Sequence, residues 1–228
     1  MTIPGPVLLV LIAIEGWSEN GAEWNYTMLK KVLESIPGVV VVVPSYLDAK
    51  GKLTKFRSHL TLEEYACVVE KAITEAKNEY PDATIMVLGH SLGGLIARFL
   101  CHTGLFPSRN MILAGTPNLG IDFGWFKNGT LKVLASKHAC NVPVFYQLLK
   151  GSKFLNELNR YGVPEDAYYI RGLRDNVVAP WSSDPRGTAI GVSCDHKLFP
   201  REGKLVESSA IPIVEKIVEK RLAEITSR

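Results

Sequence analysis

The chain has 228 residues, 46% of them apolar and 21% charged, with a net charge of +3 at pH 7. That length encloses one substantial core, so a single domain over residues 1–228 is expected, and the composition is ordinary for a soluble globular protein. Lys and Arg are scattered, with no basic run interleaved with aromatics, which argues against a nucleic-acid partner.

The first element is the hydrophobic run Val7–Ile14. It is too short for a transmembrane helix and no basic residue precedes it. Rich in Val and Ile and ending at Glu15-Gly16, it reads as a buried parallel strand. A cytoplasmic protein without stable membrane insertion is therefore expected. A helix over Ala22–Ser35 follows, with Trp24, Met28, Val32 and Ile36 in one stripe and Pro37-Gly38 as its stop. Val39–Pro44 is the second strand. Thr61 and Glu64 then form a capping-box pattern, opening a helix whose apolar face is Tyr65, Val68, Val69, Ala72, Ile73 and Ala76. The third strand is Thr84–Leu88, and a helix from Leu92 to Thr103 follows, ended by Gly104. Asn110–Ala114, Ala167–Arg171 and Thr188–Val192 complete the strands. A last helix over Pro212–Ile225 buries Val214, Ile217, Val218 and Leu222. Strands alternating with helices predict a parallel sheet covered on both faces.

Residues 118–161 break this alternation, since they exceed what one crossover helix needs. They carry exposed-looking aromatics (Phe123, Trp125, Phe126, Phe145, Tyr146) and a helical Phe154-Leu155-x-x-Leu158. Such a length suits a lid-like insertion that shapes a pocket, with Trp125 and Phe145 as candidate substrate contacts; two more packed helices are the alternative. The four cysteines are far apart and lack CxxC spacing, so metal binding is not expected. Cys67 and Cys101 fall on predicted helices, as small buried side chains would. A Cys140–Cys194 disulfide stays open for an oxidising compartment.

The segment Gly89-His90-Ser91-Leu92-Gly93 is a G-x-S-x-G set between a strand and a helix. A serine on such a tight turn projects its hydroxyl out of the sheet, and the flanking glycines remove side chains that would clash. The helix N-terminus beside it offers the Leu92 N–H and a positive dipole to a developing oxyanion. A serine hydroxyl needs a base to take its proton and an acid to orient that base. Among the five histidines, His90 sits inside the turn and reads as structural. His59 is in a loop, His102 on the third helix and His138 in the insertion. His196 follows the last strand and is the candidate base. Asp175, after the fifth strand, is the candidate acid, in the chain order Ser, Asp, His. Asp122, after the fourth strand, is its rival, and Asp195 is too near His196 in sequence to orient it easily.

Gly89–Gly94, Gly115–Gly120, the Asp175 loop and Asp195-His196 together resemble the α/β-hydrolase superfamily, most of all its lipase and esterase branch. The resemblance spans about Val7 to Phe199. It implies a doubly wound, mostly parallel six-stranded sheet in the order second, first, third, fourth, fifth, sixth. Helices cover both faces, and a helical insertion follows the fourth strand. It implies a serine hydrolase of carboxylic esters, acting through an acyl-enzyme on Ser91 with His196 as base and Asp175 as its orienter. The backbone N–H groups of Trp17 and Leu92 would form the oxyanion hole. The implied substrate is a small-molecule or lipid ester with a hydrophobic acyl group, and no metal or organic cofactor is implied. A thioesterase, or an inactive binding protein on the same fold, are the alternatives. Two departures stand out. Relatives usually carry two further strands before the one at Val7, and many have His-Gly where this chain has Glu15-Gly16 ahead of Trp17.

Overall fold

A computed structural model of the chain describes residues 5–16, 22–44, 60–122, 143–199 and 209–227, with the backbone alone for 22–26. Six strands form one sheet: β1 (Leu9–Ile14), β2 (Val39–Val42), β3 (Thr84–His90), β4 (Met111–Ala114), β5 (Tyr168–Gly172) and β6 (Ile190–Val192). Their order is β2-β1-β3-β4-β5-β6, every pairing parallel, as the resemblance implied. The helices are α1 (Ala22–Leu33), α2 (Leu62–Glu79), α3 (Leu92–His102), α4 (Pro143–Leu148), α5 (Lys153–Arg160), α6 (Pro180–Ser183) and α7 (Ile211–Thr226).

The unbroken apolar run of β1 has a direct cause. Side chains alternate across a strand, and both faces here are covered. Val10, Ile12 and Ile14 enter one core with α2 and α3, whereas Leu9, Leu11 and Ala13 enter the opposite core with α1 and α7. All six residues are buried.

Helix α2 begins as its sequence dictates. The Thr61 side chain accepts from the Glu64 N–H, and the Glu64 carboxylate accepts from the Thr61 N–H at 2.7 Å. Its buried line is Leu62, Tyr65, Ala66, Val69, Ile73 and Ala76, so Leu62 and Ala66 join the predicted face while Val68 and Ala72 are half-buried. Cys67 lies outside that line and is exposed, against expectation; Cys101 is half-buried. In α1, Leu29 and Leu33 are fully buried, with Met28, Val32 and Ile36 packed beside them, so the stripe is centred one residue later than predicted.

The described part of the insertion packs on the sheet's α2–α3 side. Val144, Phe145 and Leu148 of α4 and Phe154, Leu155 and Leu158 of α5 are buried there. Gln147 locks α4 to the start of α2, accepting from the Leu62 N–H and donating to Glu63, both at 2.7 Å. Phe145 is only 5% exposed. It was expected as an exposed pocket aromatic and is instead core, because α4 turns that face inward; Tyr146, beside it, is exposed. Phe123, Trp125, Phe126 and Cys140 lie outside the described residues, and Cys194 carries a free thiol. No helix among the described residues is long and apolar enough to cross a membrane.

Candidate active site

The chain leaves β1 toward β2 on one side and returns to β3 on the other. Between β1 and β3 the loops at the strands' carboxyl ends diverge, and an open parallel sheet binds ligands in such a gap. Ser91 stands there, between the last residue of β3 and the first of α3. Its backbone is at φ 54°, ψ −120°, and it is the sole non-glycine residue with positive φ among those described. That conformation costs about 1–3 kcal/mol and survives only where the surroundings over-determine it. Here the Ser91 N–H donates to the Ala114 carbonyl at 2.8 Å, and the Gly94 N–H donates to the Ser91 carbonyl at 3.0 Å.

The glycines around Ser91 are places where backbone must meet backbone. A Cβ on Gly89 would come within 2.5 Å of the Gly93 carbonyl oxygen. One on Gly93 would strike the Ile14 carbonyl oxygen, and one on Gly94 the Thr116 side chain. Across the gap, a Cβ on Gly16 would lie 2.8 Å from the Ser91 Cβ. The end of β1 thus passes directly over the serine.

His196 arrives on the loop after β6, with its Nε2 at 2.9 Å from the Ser91 Oγ. Its Nδ1–H donates to the Asp175 Oδ2 at 2.8 Å, which leaves Nε2 free to accept from the serine hydroxyl. Asp175 follows β5, and its side chain is 2% exposed. Its other oxygen, Oδ1, accepts from the Val177 and Val178 N–H groups at 2.8 and 2.9 Å. Burial alone would raise this carboxyl's pKa. The hydrogen bond and charge of His196, with the two backbone donors, outweigh it and hold Asp175 below its ordinary value. The result is an ionised carboxylate, an imidazole and a hydroxyl in one unbroken chain.

No family model matches this sequence, and a search of curated proteins found no match either. Solved structures do match. The chain is similar to lipase BlEst2 of Bacillus licheniformis in its mature form, at 13% identity and a TM-score of 0.60, over 93% of this chain and 94% of that one. It is similar to the RedJ thioesterase of the prodiginine biosynthetic pathway in Streptomyces coelicolor, at 17% identity and a TM-score of 0.54, over 92% and 86%. It is also similar to phospholipase PlaB of Legionella pneumophila, at 15% identity and a TM-score of 0.55, over 79% of this chain. It spans only 45% of PlaB.

The chain has the α/β-hydrolase fold.

In this α/β-hydrolase fold the other candidates make different contacts or lie outside the described residues. Asp122, the rival acid, is half-buried and lies 3.9 Å from the Lys150 ammonium. Asp195 is exposed and accepts from the Lys197 N–H. His102 stacks on Tyr161, with ring centroids 4.7 Å apart. His59, His138, Trp17 and Trp125 lie outside the described residues. Leu92 is buried at the first position of α3, and Ser91 makes no side-chain capping bond to that helix. Glu15, where many relatives have histidine, is buried.

Two residues have roles that the linear sequence hides. His90, read as structural, reaches the main chain of the candidate base: its Nε2–H donates to the His196 carbonyl at 2.9 Å. Arg98, fully buried on α3, donates to the Asn118 carbonyl and side-chain oxygens at 3.1 and 3.3 Å. It also donates to Asn159 Oδ1 at 2.8 Å and to the Gly162 carbonyl at 3.1 Å. One guanidinium therefore grips both ends of the 118–161 stretch. The available signal was a lone arginine inside an otherwise apolar helix.

Proposed function

We propose that the chain is a serine hydrolase of carboxylic esters that works through an acyl-enzyme on Ser91. The observation carrying this reading is the Ser91–His196–Asp175 chain, at 2.9 and 2.8 Å, on the strained turn between β3 and α3. In the proposed reaction Ser91 Oγ attacks the ester carbonyl carbon as His196 Nε2 takes its proton. The imidazolium that results is stabilised by the Asp175 carboxylate. His196 then gives the proton to the departing alkoxide, leaving the acyl group on Ser91. Water repeats the sequence, and the free acid departs. The Leu92 N–H at the α3 N-terminus and the Trp17 N–H are the proposed donors to the oxyanion; preorganised donors of this kind are worth roughly 2.7–4 kcal/mol each.

Small-molecule or lipid esters are the proposed substrates, in line with a lipase and a phospholipase among the similar structures. Contact with a hydrophobic acyl group is assigned to Trp125. A thioester is the second reading, favoured by the thioesterase among those structures and by the ability of the same three groups to cleave either bond.

The test is fluorophosphonate labelling with a panel of esters and thioesters of graded chain length, on wild type and Ser91→Ala. Labelling and turnover are expected in wild type alone. A folded wild type that neither labels nor turns over any member of the panel would make this an inactive binding protein.

A further inference from the structure

His90 occupies the last position of β3, one residue before the nucleophile, and its ring does not point to solvent alone. Its Nε2–H meets the main-chain carbonyl of His196 at 2.9 Å. The same carbonyl accepts from the Leu198 N–H at 3.0 Å, so both of its lone pairs are used. The His90 and His196 rings lie 5.1 Å apart and tilted by 37°, and Phe199 meets His90 edge-on at 5.7 Å. The two neighbours at the elbow thus hold His196 at two points. Ser91 engages its side chain and His90 its backbone, while Asp175 fixes the far ring nitrogen.

We infer that His90 is a positioning residue, whose Nε2–H ties the His196 loop to the strand that carries the nucleophile and so sets the distance from base to serine. This rests on the proposed Ser91–His196–Asp175 mechanism. The loop's other main-chain bonds come from elsewhere than β3: the Arg174 N–H donates to the Cys194 carbonyl at 3.0 Å and the Ala210 N–H to the Leu198 carbonyl at 2.9 Å. His196 follows a strand of three residues, two of them exposed, at the edge of the sheet. Its loop has to be located against β3 by something other than β6. A carbonyl only accepts, so the bond requires the proton on His90 Nε2. Burial, and then the neighbouring His196, push the His90 pKa down to about 3, against the opposing pull of the His196 carbonyl and Asp175. His90 is therefore neutral near neutral pH, and it adds no charge that would oppose an imidazolium at His196.

The test compares His90→Gln with His90→Phe. Glutamine can place an amide N–H near the position of the imidazole Nε2, while phenylalanine keeps a ring against Phe199 and removes the donor. His90→Phe is expected to lower kcat and the rate of fluorophosphonate labelling about tenfold or more, with KM little changed. His90→Gln should recover most of both. The proton resonance of the His196 Nδ1–H to Asp175 bond should weaken or broaden in His90→Phe and return in His90→Gln. Equal losses in the two variants, or wild-type rates in His90→Phe, would overturn the inference while leaving the hydrolase reading intact. Unimpaired turnover by Ser91→Ala would instead remove the mechanism on which it rests. Should His90→Phe fail to fold, 15N spectra of the wild-type imidazoles decide the matter. A His90 protonated on Nε2 and unchanged from pH 5 to pH 9 supports the role, and one carrying its proton on Nδ1 ends it.

Discussion

The sharpest expectations concern single side chains. Ser91→Ala and His196→Ala should each remove about four or more orders of magnitude of turnover, because the members of such a set act as a unit. Steady-state assays on one ester measure this, and most of the activity surviving in either variant would refute the assignment. Asp175→Asn loses the acceptor that fixes the His196 tautomer and should cost on the order of 10⁴ in kcat. Asp122→Asn, which leaves the Asp175–His196 bond untouched, should stay near wild type. His90 also carries a pH signature. Its folded pKa of about 3 lies below the ordinary 6.5, so unfolded chains bind the extra proton between those values. This contribution to stability is complete above pH 6.5 and is lost as pH falls toward 3, at no more than about 1.4 kcal/mol per pH unit. Asp175, also held low, acts in the same direction. Thermal melts between pH 3 and pH 7 should therefore show a shallower pH dependence in His90→Phe than in wild type. At this scale the sequence was informative where chemistry demands a motif. The three side chains picked from the elbow and the chain order are the three that meet. His90 was legible only as a member of the turn, since its partner lies 106 positions away in the chain.

Among the elements, the telling one is α3. It begins beside Ser91 and, two turns on, presents Arg98 to both ends of the insertion. Among the described residues its guanidinium is held by neutral oxygens alone. Burial lowers its pKa to about 10, and it remains a cation at neutral pH. Lysine would keep the charge but not the planar fork that reaches Asn118 on one side and Asn159 and Gly162 on the other. Arg98→Lys is expected to destabilise the fold by roughly 1.5–3 kcal/mol for each charge-assisted bond that goes unmade. Denaturant titration reads this, and an unchanged midpoint would show that the two ends are held by packing alone. Element types and their order were legible because periodicity separates strand from helix. The facing of individual side chains was less so. Phe145 looks exposed in the sequence and is buried in the fold, because burial depends on which way α4 docks against α2. Gln147 bonds across that contact to Leu62, 85 positions away in the chain.

Over the whole molecule, the proposed reaction draws on widely separated parts of one sheet. The nucleophile leaves β3 near the centre, the carboxylate leaves β5, and the base leaves β6 at the edge. Strand order followed from the resemblance and not from the residue pattern, because parallel strands buried on both faces carry almost no record of their neighbours. The edge position has a consequence for how the protein fails. β1 is buried along its whole length between two partners, whereas β6 offers three residues to a single partner, with Ile190 and Gly191 exposed. Regions with few buried contacts open at lower free energy than the core. The sheet's rim should therefore loosen while its centre is still native, carrying the base away from a serine that has not moved. Chemical competence and folded structure would then be separate properties with separate tolerances. In a urea series, turnover should vanish at a lower concentration than the loss of helical circular dichroism, and dilution from that window should restore it faster than refolding from the fully unfolded chain. Coincident midpoints would mean instead that the base is lost only when everything is.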